Sequence, residues 1–239
     1  MNVTLINYTA NATELLLLTK NTRLTLGKVL MQEIASWSQD RVYDELAYMA
    51  KTIPSSWEFV SYTFLIEGVS RAFTHQFVRT RTGSYAQQSM RVVNMADFRY
   101  VLTERNLANP DAMARIDRCL AEIKACYQDL LAMGQPEEDA RGVLPTNIAT
   151  NIIAKFDLRA LSGLVQSRTG GRTQDEYQRV AGAMADAVLA VHPWAADFLF
   201  PQGRNVFDEL EAFAKTKFPN LSERGALLKI IDRLRKGVV

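Results

Sequence analysis

The sequence is poor in the residues that build metal centres and covalent staples. Its 239 residues include two cysteines and two histidines, and no Cys/His pair shows metal-ligand spacing, so a zinc or iron site is not expected. Cys119 and Cys126 lie seven apart in one predicted helix, about two turns along the same face. That is too far for a bridge, and buried thiols in a reducing compartment are the expectation. Long apolar runs are absent as well. The longest run of leucine, isoleucine or valine covers residues 15–18, whereas a membrane span needs ~20 apolar residues. No charged leader with a small-residue cleavage site is visible, so a soluble cytoplasmic protein without membrane partners is expected. Gly/Ser linkers, internal repeats and low-complexity segments are also missing, which points to one domain over residues 1–239. Apolar residues make up 48% and charged residues 23%, values that exclude disordered and collagen-like chains.

Acidic residues are absent between positions 68 and 96, yet Arg71, Arg79, Arg81 and Arg91 fall inside that stretch. Uncompensated positive charge suits an anion site, although a solvated basic face carries the same pattern. The formal net charge is only +2, and Tyr85 is the one aromatic residue inside the tight 79–91 cluster. A nucleic-acid module needs a basic surface with interleaved aromatics, so no nucleic-acid partner is expected.

Periodicity predicts a strand over residues 2–8, and a helix capped by Thr9 that runs to Lys20. A helix follows over 41–51, then a strand over 59–66 (FVSYTFLI), rich in aromatic and β-branched residues. Residues 70–79 read as a helix and 90–93 as a second extended piece. Asn109 caps a helix with Pro110 in its first turn. Its apolar stripe from Met113 to Leu130 is core or subunit interface, and Gly134 ends it. A further helix is predicted over 147–167, interrupted by Gly170-Gly171, a simple interhelical loop with a phosphate cradle as its alternative. Thr173 to Glu176 reads as a capping box that opens a helix closed by Pro193, with His192 at the helix terminus. Ser222 opens the last helix, which ends in Arg233, Arg235 and Lys236. His75 reads as a satisfied core or interface residue rather than a base. The sum is an α+β fold, helix-rich with a small, mostly antiparallel sheet.

The densest chemistry lies in residues 75–91, HQFVRTRTGSYAQQSMR. Arg79 and Arg81 flank Thr80; Thr82, Ser84, Tyr85, Gln87, Gln88 and Ser89 follow, and Arg91 closes the segment. Guanidinium forks bind phosphate bidentately, and hydroxyls with exposed N–H groups complete an oxyanion cradle. Side-chain amides read donor and acceptor edges of a planar heterocycle. A ligand with a phosphate and a base, such as a nucleotide or a flavin, fits these types. A polar loop whose arginines pair with acids elsewhere fits them too.

With the spacing considered, the sequence resembles the flavin-dependent thymidylate synthases, which carry Arg-His-Arg, seven residues, Ser, and usually an Arg two further on. Arg79-Thr80-Arg81, Ser89 and Arg91 keep that spacing with one change. A second block, Leu144-Pro145, Arg159, Arg168 and Gln174-x-Glu176, is similar to the family's C-terminal signature. The resemblance spans about residues 55–191. It implies a homotetramer with shared active sites that binds FAD, reduces it with NADPH, and moves the methylene of methylenetetrahydrofolate to C5 of a pyrimidine deoxynucleotide monophosphate. Carried over, Ser55, Arg79, Thr80, Arg81, Gln87, Gln166 and Arg168 hold the flavin. Gln76, Gln87, Gln88, Ser89, Arg91 and Asn151 hold the nucleotide. Gln178, with Arg179 beside it, takes the place of an arginine at the uracil N3.

The departures cluster at the chemistry. Histidines of the pattern are replaced by Thr80, Ile53 and Phe59, and two arginines by Asn151 and Gln178. Cytosine has no N3 proton for an arginine to ionise, whereas a neutral amide suits its donor and acceptor edge. The departures therefore leave open dUMP methylation, a variant acting on dCMP, a hydroxymethylase, or a non-catalytic flavin- and nucleotide-binding paralogue.

Overall fold

The computed structural model describes residues 1–22, 28–91, 95, 97–169, 173–201, 206–218 and 220–235. β1 (Asn2–Tyr8), α1 (Ala12–Asn21), α2 (Lys28–Ala35) and α3 (Gln39–Thr52) lead through a 3-10 turn (Pro54–Phe59) to β2 (Ser61–Ser70). Next come α4 (Arg71–Phe77), β3 (Ser84–Gln87), α5 (Glu104–Leu107), α6 (Pro110–Ala132) and α7 (Glu137–Ala140). β4 (Ala149–Asp157), α8 (Leu158–Arg168), α9 (Asp175–Val191), α10 (Ala196–Leu199), α11 (Val206–Lys217) and α12 (Leu221–Arg235) complete the order.

The four strands form one antiparallel sheet in the order β1-β2-β4-β3. Strand side chains alternate between faces, and the pairing register sorts them. Tyr62, Phe64 and Ile66 sit opposite Phe156, Ala154 and Ile152, all buried. This face packs under helices, with α9 against β1 and β2 and α8 against α9. Tyr85 and Gln87 of the short edge strand pair with Ala154 and Ile152 and so share the covered face. Asn151, Ile153 and Lys155 point to the other face and are exposed. Phe73, Phe77, Tyr85, Phe156 and Tyr177 form a continuous edge-to-face and stacked cluster that ties α4 and α9 to the sheet, a geometry worth more than burial alone.

Several boundaries differ from the sequence-based expectations. The helix predicted over 147–167 is strand β4 followed by α8: Thr150, Ile152, Ala154 and Phe156 alternate as buried residues, a period of two, and Asp157 caps α8 by accepting from the Ala160 N–H. The second extended piece is β3, several residues earlier than 90–93; Met90 and Arg91 lie in a turn, while Val92 and Val93 lie outside the described residues. β2 starts at Ser61, since Pro54 commits residues 54–59 to a 3-10 turn and leaves Phe59 exposed. Thr9 does not cap α1; its hydroxyl accepts from the Ser61 N–H at 2.9 Å, and Asn11 precedes the helix in a left-handed conformation. α9 has no capping box, because Glu176 is turned inward, as described below. Asn220, not Ser222, caps α12 by accepting from the Ser222 N–H at 2.9 Å. Gly170, Gly171 and Arg172, like Lys236, lie outside the described residues. Cys119 and Cys126 are exposed rather than buried, because α6 buries only Leu120 and Tyr127 and lies largely on the surface. His75 is exposed too, on the outer side of α4.

Candidate active site

α4 begins where β2 ends. Ser70 caps it, its hydroxyl accepting from the Phe73 N–H at 3.0 Å. Ser70 itself is held from α9: the Glu176 carboxylate accepts both its N–H at 2.7 Å and its hydroxyl at 2.6 Å. Glu176 is 7% exposed, so these charge-assisted bonds form away from water. They clamp α4, which carries Gln76, to α9, which carries Gln178 and Arg179.

Past Phe77 the chain turns tightly through Arg79, Thr80 and Arg81, with the Thr80 N–H donating to the Phe77 carbonyl and the Gly83 N–H to the Thr80 carbonyl. The Tyr85 hydroxyl closes the turn by donating to the Thr80 carbonyl at 2.7 Å, with the Phe77 carbonyl at 3.1 Å. Burial, and secondarily Tyr177, pushes the Tyr85 phenol up to about 12, although its bond to Thr80 opposes the shift. Gly83 is dictated by space, since a Cβ there would lie 2.5 Å from Phe156 Cε1 and 2.6 Å from the Tyr85 oxygen. The turn thus presents Arg79 and Arg81 outward, both exposed and neither within ion-pair reach of a carboxylate among the described residues. Thr80 and Thr82 line a hollow of about 500 Å³, together with Ser167, Gly163 and the ion-paired Glu58 and Arg159 (2.6 Å).

The other expected residues fall into two further groups. Gln76 donates to Gln174 Oε1 at 2.7 Å. One turn along α9, Gln178 donates to the Thr173 carbonyl and accepts from Lys215 Nζ, both at 3.1 Å. On the open side of the sheet, Asn151 accepts from the Gly68 N–H at 3.0 Å and faces Gln88 Oε1 at 3.5 Å. Gly68 has φ +65°, a left-handed conformation that favours glycine, at the β2 bulge. Arg71 donates to the Gln88 carbonyl at 2.6 Å, and Ser89 accepts from the Arg91 N–H. Gln87 instead turns to the covered face and donates to the Thr74 hydroxyl at 2.8 Å.

Not every expected residue is free to meet a ligand. Arg91 is paired with Glu138 at 3.0 Å and Arg179 with Glu104 at 3.4 Å. Gln166 folds back on Ser162, and Arg168 lies 4.9 Å from the centre of the Tyr177 ring, a cation–π contact. Ser55 is exposed on the 3-10 turn. Lys215 and Arg141 emerged only in three dimensions. The acid-free stretch already contained Arg71, and spacing had singled out Glu176, though not its partner Ser70. Among the described residues no cluster of three or more His, Cys, Asp or Glu side chains is placed to hold a metal, and no helix is long and apolar enough to cross a membrane.

A helix-covered antiparallel sheet with an exposed guanidinium and hydroxyl turn at its edge defines an α+β protein with a candidate anion site. Comparison with known proteins narrows that class. Residues 4–194 match the thymidylate synthase complementing protein family, and the chain belongs to it. The flavin-dependent thymidylate synthase of Nitratidesulfovibrio vulgaris is 38% identical over 144 residues, 57% of this chain and 59% of that one. The flavin-dependent thymidylate synthase of Sulfurisphaera tokodaii is 34% identical over 200 residues, 81% of this chain and 75% of that one. Among solved structures, thymidylate synthase X of Helicobacter pylori with FAD and dUMP superposes with a TM-score of 0.63, covering 84% of this chain and 99% of that one. At 18% identity that likeness speaks to the fold alone.

Proposed function

We propose that this chain is the subunit of a flavin-dependent thymidylate synthase. In this reading, as a single-domain protomer of a cytoplasmic homotetramer, it transfers the methylene of methylenetetrahydrofolate to C5 of dUMP. The observation that carries the proposal is the turn at residues 79–82. Two exposed guanidinium groups, without carboxylate partners among the described residues, flank a threonine that opens onto a hydroxyl-lined hollow. That donor set fits a pyrophosphate, since forked cations and hydroxyls together satisfy its oxygens. Arg79, Arg81 and Thr80 would hold FAD, with Ser55, Gln87, Gln166 and Arg168 around it. A flavin held by these residues would supply the hydride chemistry that the transfer needs, with NADPH as the source of reducing equivalents.

Gln76, Gln88, Ser89, Arg91 and Asn151 would orient the nucleotide. These residues lie in separate groups of one chain, which favours sites completed by neighbouring subunits. The choice of base rests on Gln178. Its carbonyl end faces the Lys215 ammonium, so a cation returns to the place where the resemblance expects an arginine. A cation favours loss of the uracil N3 proton, which raises electron density at C5; cytosine has no N3 proton to lose and is not activated in this way. This supports dUMP over dCMP.

The test is an absorbance scan of the purified protein, followed by titration with dUMP and with dCMP. A flavin band perturbed by dUMP is the expected result. A colourless protein that takes up no added FAD, or a band that responds to dCMP alone, would overturn the proposal.

A further inference from the structure

The last two helices, α11 and α12, lie beyond residues 4–194, the part that matches the family, and each packs mainly against the other. Arg224 of α12 donates to the Lys215 carbonyl at 3.4 Å, and Arg235 pairs with Glu211 at 3.0 Å. Ala214 of α11 and Ile231 of α12 are buried. Both helices nevertheless leave large apolar side chains in water. On α11, Leu210 is 42% exposed and Phe213 56%, while Ile230 and Leu234 of α12 are about half exposed. An amphipathic helix needs cover for its apolar stripe, and helices this short draw most of their stability from such packing. The outer face of α11 lacks that cover among the described residues.

The charges around Phe213 say what fits there. Helix residues three and four apart share a side, so Glu209, Leu210, Phe213 and Lys217 line one face of α11. Neither Glu209 nor Lys217 forms an ion pair among the described residues. The acid stands four residues before the phenylalanine and the base four residues after it. A second α11 laid antiparallel, with Phe213 opposite Phe213, therefore brings the Glu209 of each copy to the Lys217 of the other. A parallel copy would set acid on acid and base on base. The surface is thus complementary to itself under a two-fold axis, as a symmetric dimer contact must be. A lipid surface fits it poorly, because Glu209 and Glu211 are repelled by anionic headgroups.

We infer that α11 is a self-docking surface: two copies of this chain join antiparallel through their C-terminal hairpins, centred on Phe213, with the Glu209 of each copy paired to the Lys217 of the other. Leu210 adds apolar area on the same face. The contact involves no substrate or cofactor, so it stands independently of the thymidylate synthase reading. It touches that reading at one residue. Lys215, on the same helix, donates to Gln178, and a partner that steadies α11 also steadies this cation.

The experiment treats the full-length protein with a zero-length carbodiimide, which joins a carboxylate to an amine in direct contact, and maps the product by mass spectrometry. Within one α11 the two residues lie ~12 Å apart along the axis, too far for a direct amide, so a Glu209–Lys217 link joins two copies. Wild type is expected to give that link in a product that runs as a dimer on denaturing gels. Phe213→Glu should cut the yield about tenfold or more, as loss of a central aromatic anchor does. Glu209→Lys combined with Lys217→Glu exchanges the signs, keeps both pairs, and should restore the link with its ends reversed. Circular dichroism melts confirm that the variants are folded. Wild type without the link overturns the proposal, as does a link undiminished in Phe213→Glu or missing from the doubly reversed protein. Binding of wild type to phosphatidylserine vesicles without any link also overturns it, in favour of a membrane-facing helix. If Phe213→Glu fails to fold, wild type and the doubly reversed protein decide. The readout needs no turnover, so a protein that binds neither FAD nor dUMP would sink the thymidylate synthase reading and leave this result intact.

Discussion

Glu176 is a buried carboxylate whose two oxygens are both committed to Ser70, one to the backbone N–H and one to the hydroxyl. Replacing it with alanine strands two buried donors, each of which costs about 1–3 kcal/mol when unsatisfied. The lost bonds are partly offset because a desolvated carboxylate is itself expensive. A net loss of about 3 kcal/mol follows. For a chain of this size each kcal/mol lowers Tm by about 2–4 °C, so Glu176→Ala should melt about 6–12 °C below wild type. Glu176→Gln should be milder, near 1 kcal/mol, because its carbonyl still accepts the Ser70 N–H and the hydroxyl can turn to accept from the new amide. Circular dichroism melts of the three proteins, repeated as urea titrations, give the ranking. Since α4 carries Gln76 and α9 carries Gln178, Glu176→Ala should also weaken dUMP binding. An alanine variant melting within 2 °C of wild type, or a glutamine variant as damaged as the alanine one, would refute the clamp.

Three other outcomes follow from the same geometry. Gly83→Ala forces a methyl into the Phe156 ring and the Tyr85 hydroxyl and should cost about 1–3 kcal/mol in a urea titration, with flavin loss as the arginine turn moves. His192, whose Nδ1 lies 3.0 Å from the Tyr62 hydroxyl, is lowered below its ordinary 6.5 by burial. The unfolded chain therefore binds that proton more tightly; the His192 contribution to stability is full above about pH 6.5 and is lost as the pH falls toward the folded value. His192→Gln should flatten the stability–pH curve in that window, and an unchanged slope would contradict the assignment. Glu58→Gln should shift Tm by no more than about 4 °C, because Arg159 and Glu58 are both about half exposed and exposed pairs contribute at most about 1 kcal/mol.

Local signals were legible where local chemistry decides the structure. β1 shows its alternation openly, and α6 announces itself through Asn109, Pro110 and Gly134, the last indeed at φ +85°. The arginine–serine spacing located the turn and edge strand, though not their boundaries. β4 resembles a helix in sequence because Asn151 and Lys155 interrupt its apolar residues in a way that also suits a helix; its identity comes from pairing with β2, a contact about ninety residues distant. Glu176 sits at capping-box spacing but finds a stronger partner in Ser70, 106 residues away. Lys215 and Arg141 reach the candidate site from segments with no motif of their own, so only the folded chain brings them there.

The central claim is a carbon transfer, and carbon can be followed. The purified protein with FAD, NADPH, dUMP and methylenetetrahydrofolate labelled with carbon-13 at its methylene should yield dTMP one mass unit heavier, with the label in the C5 methyl group by NMR. Unlabelled nucleotide after many equivalents of cofactor are consumed, or label entering dCMP and never dUMP, would contradict the account.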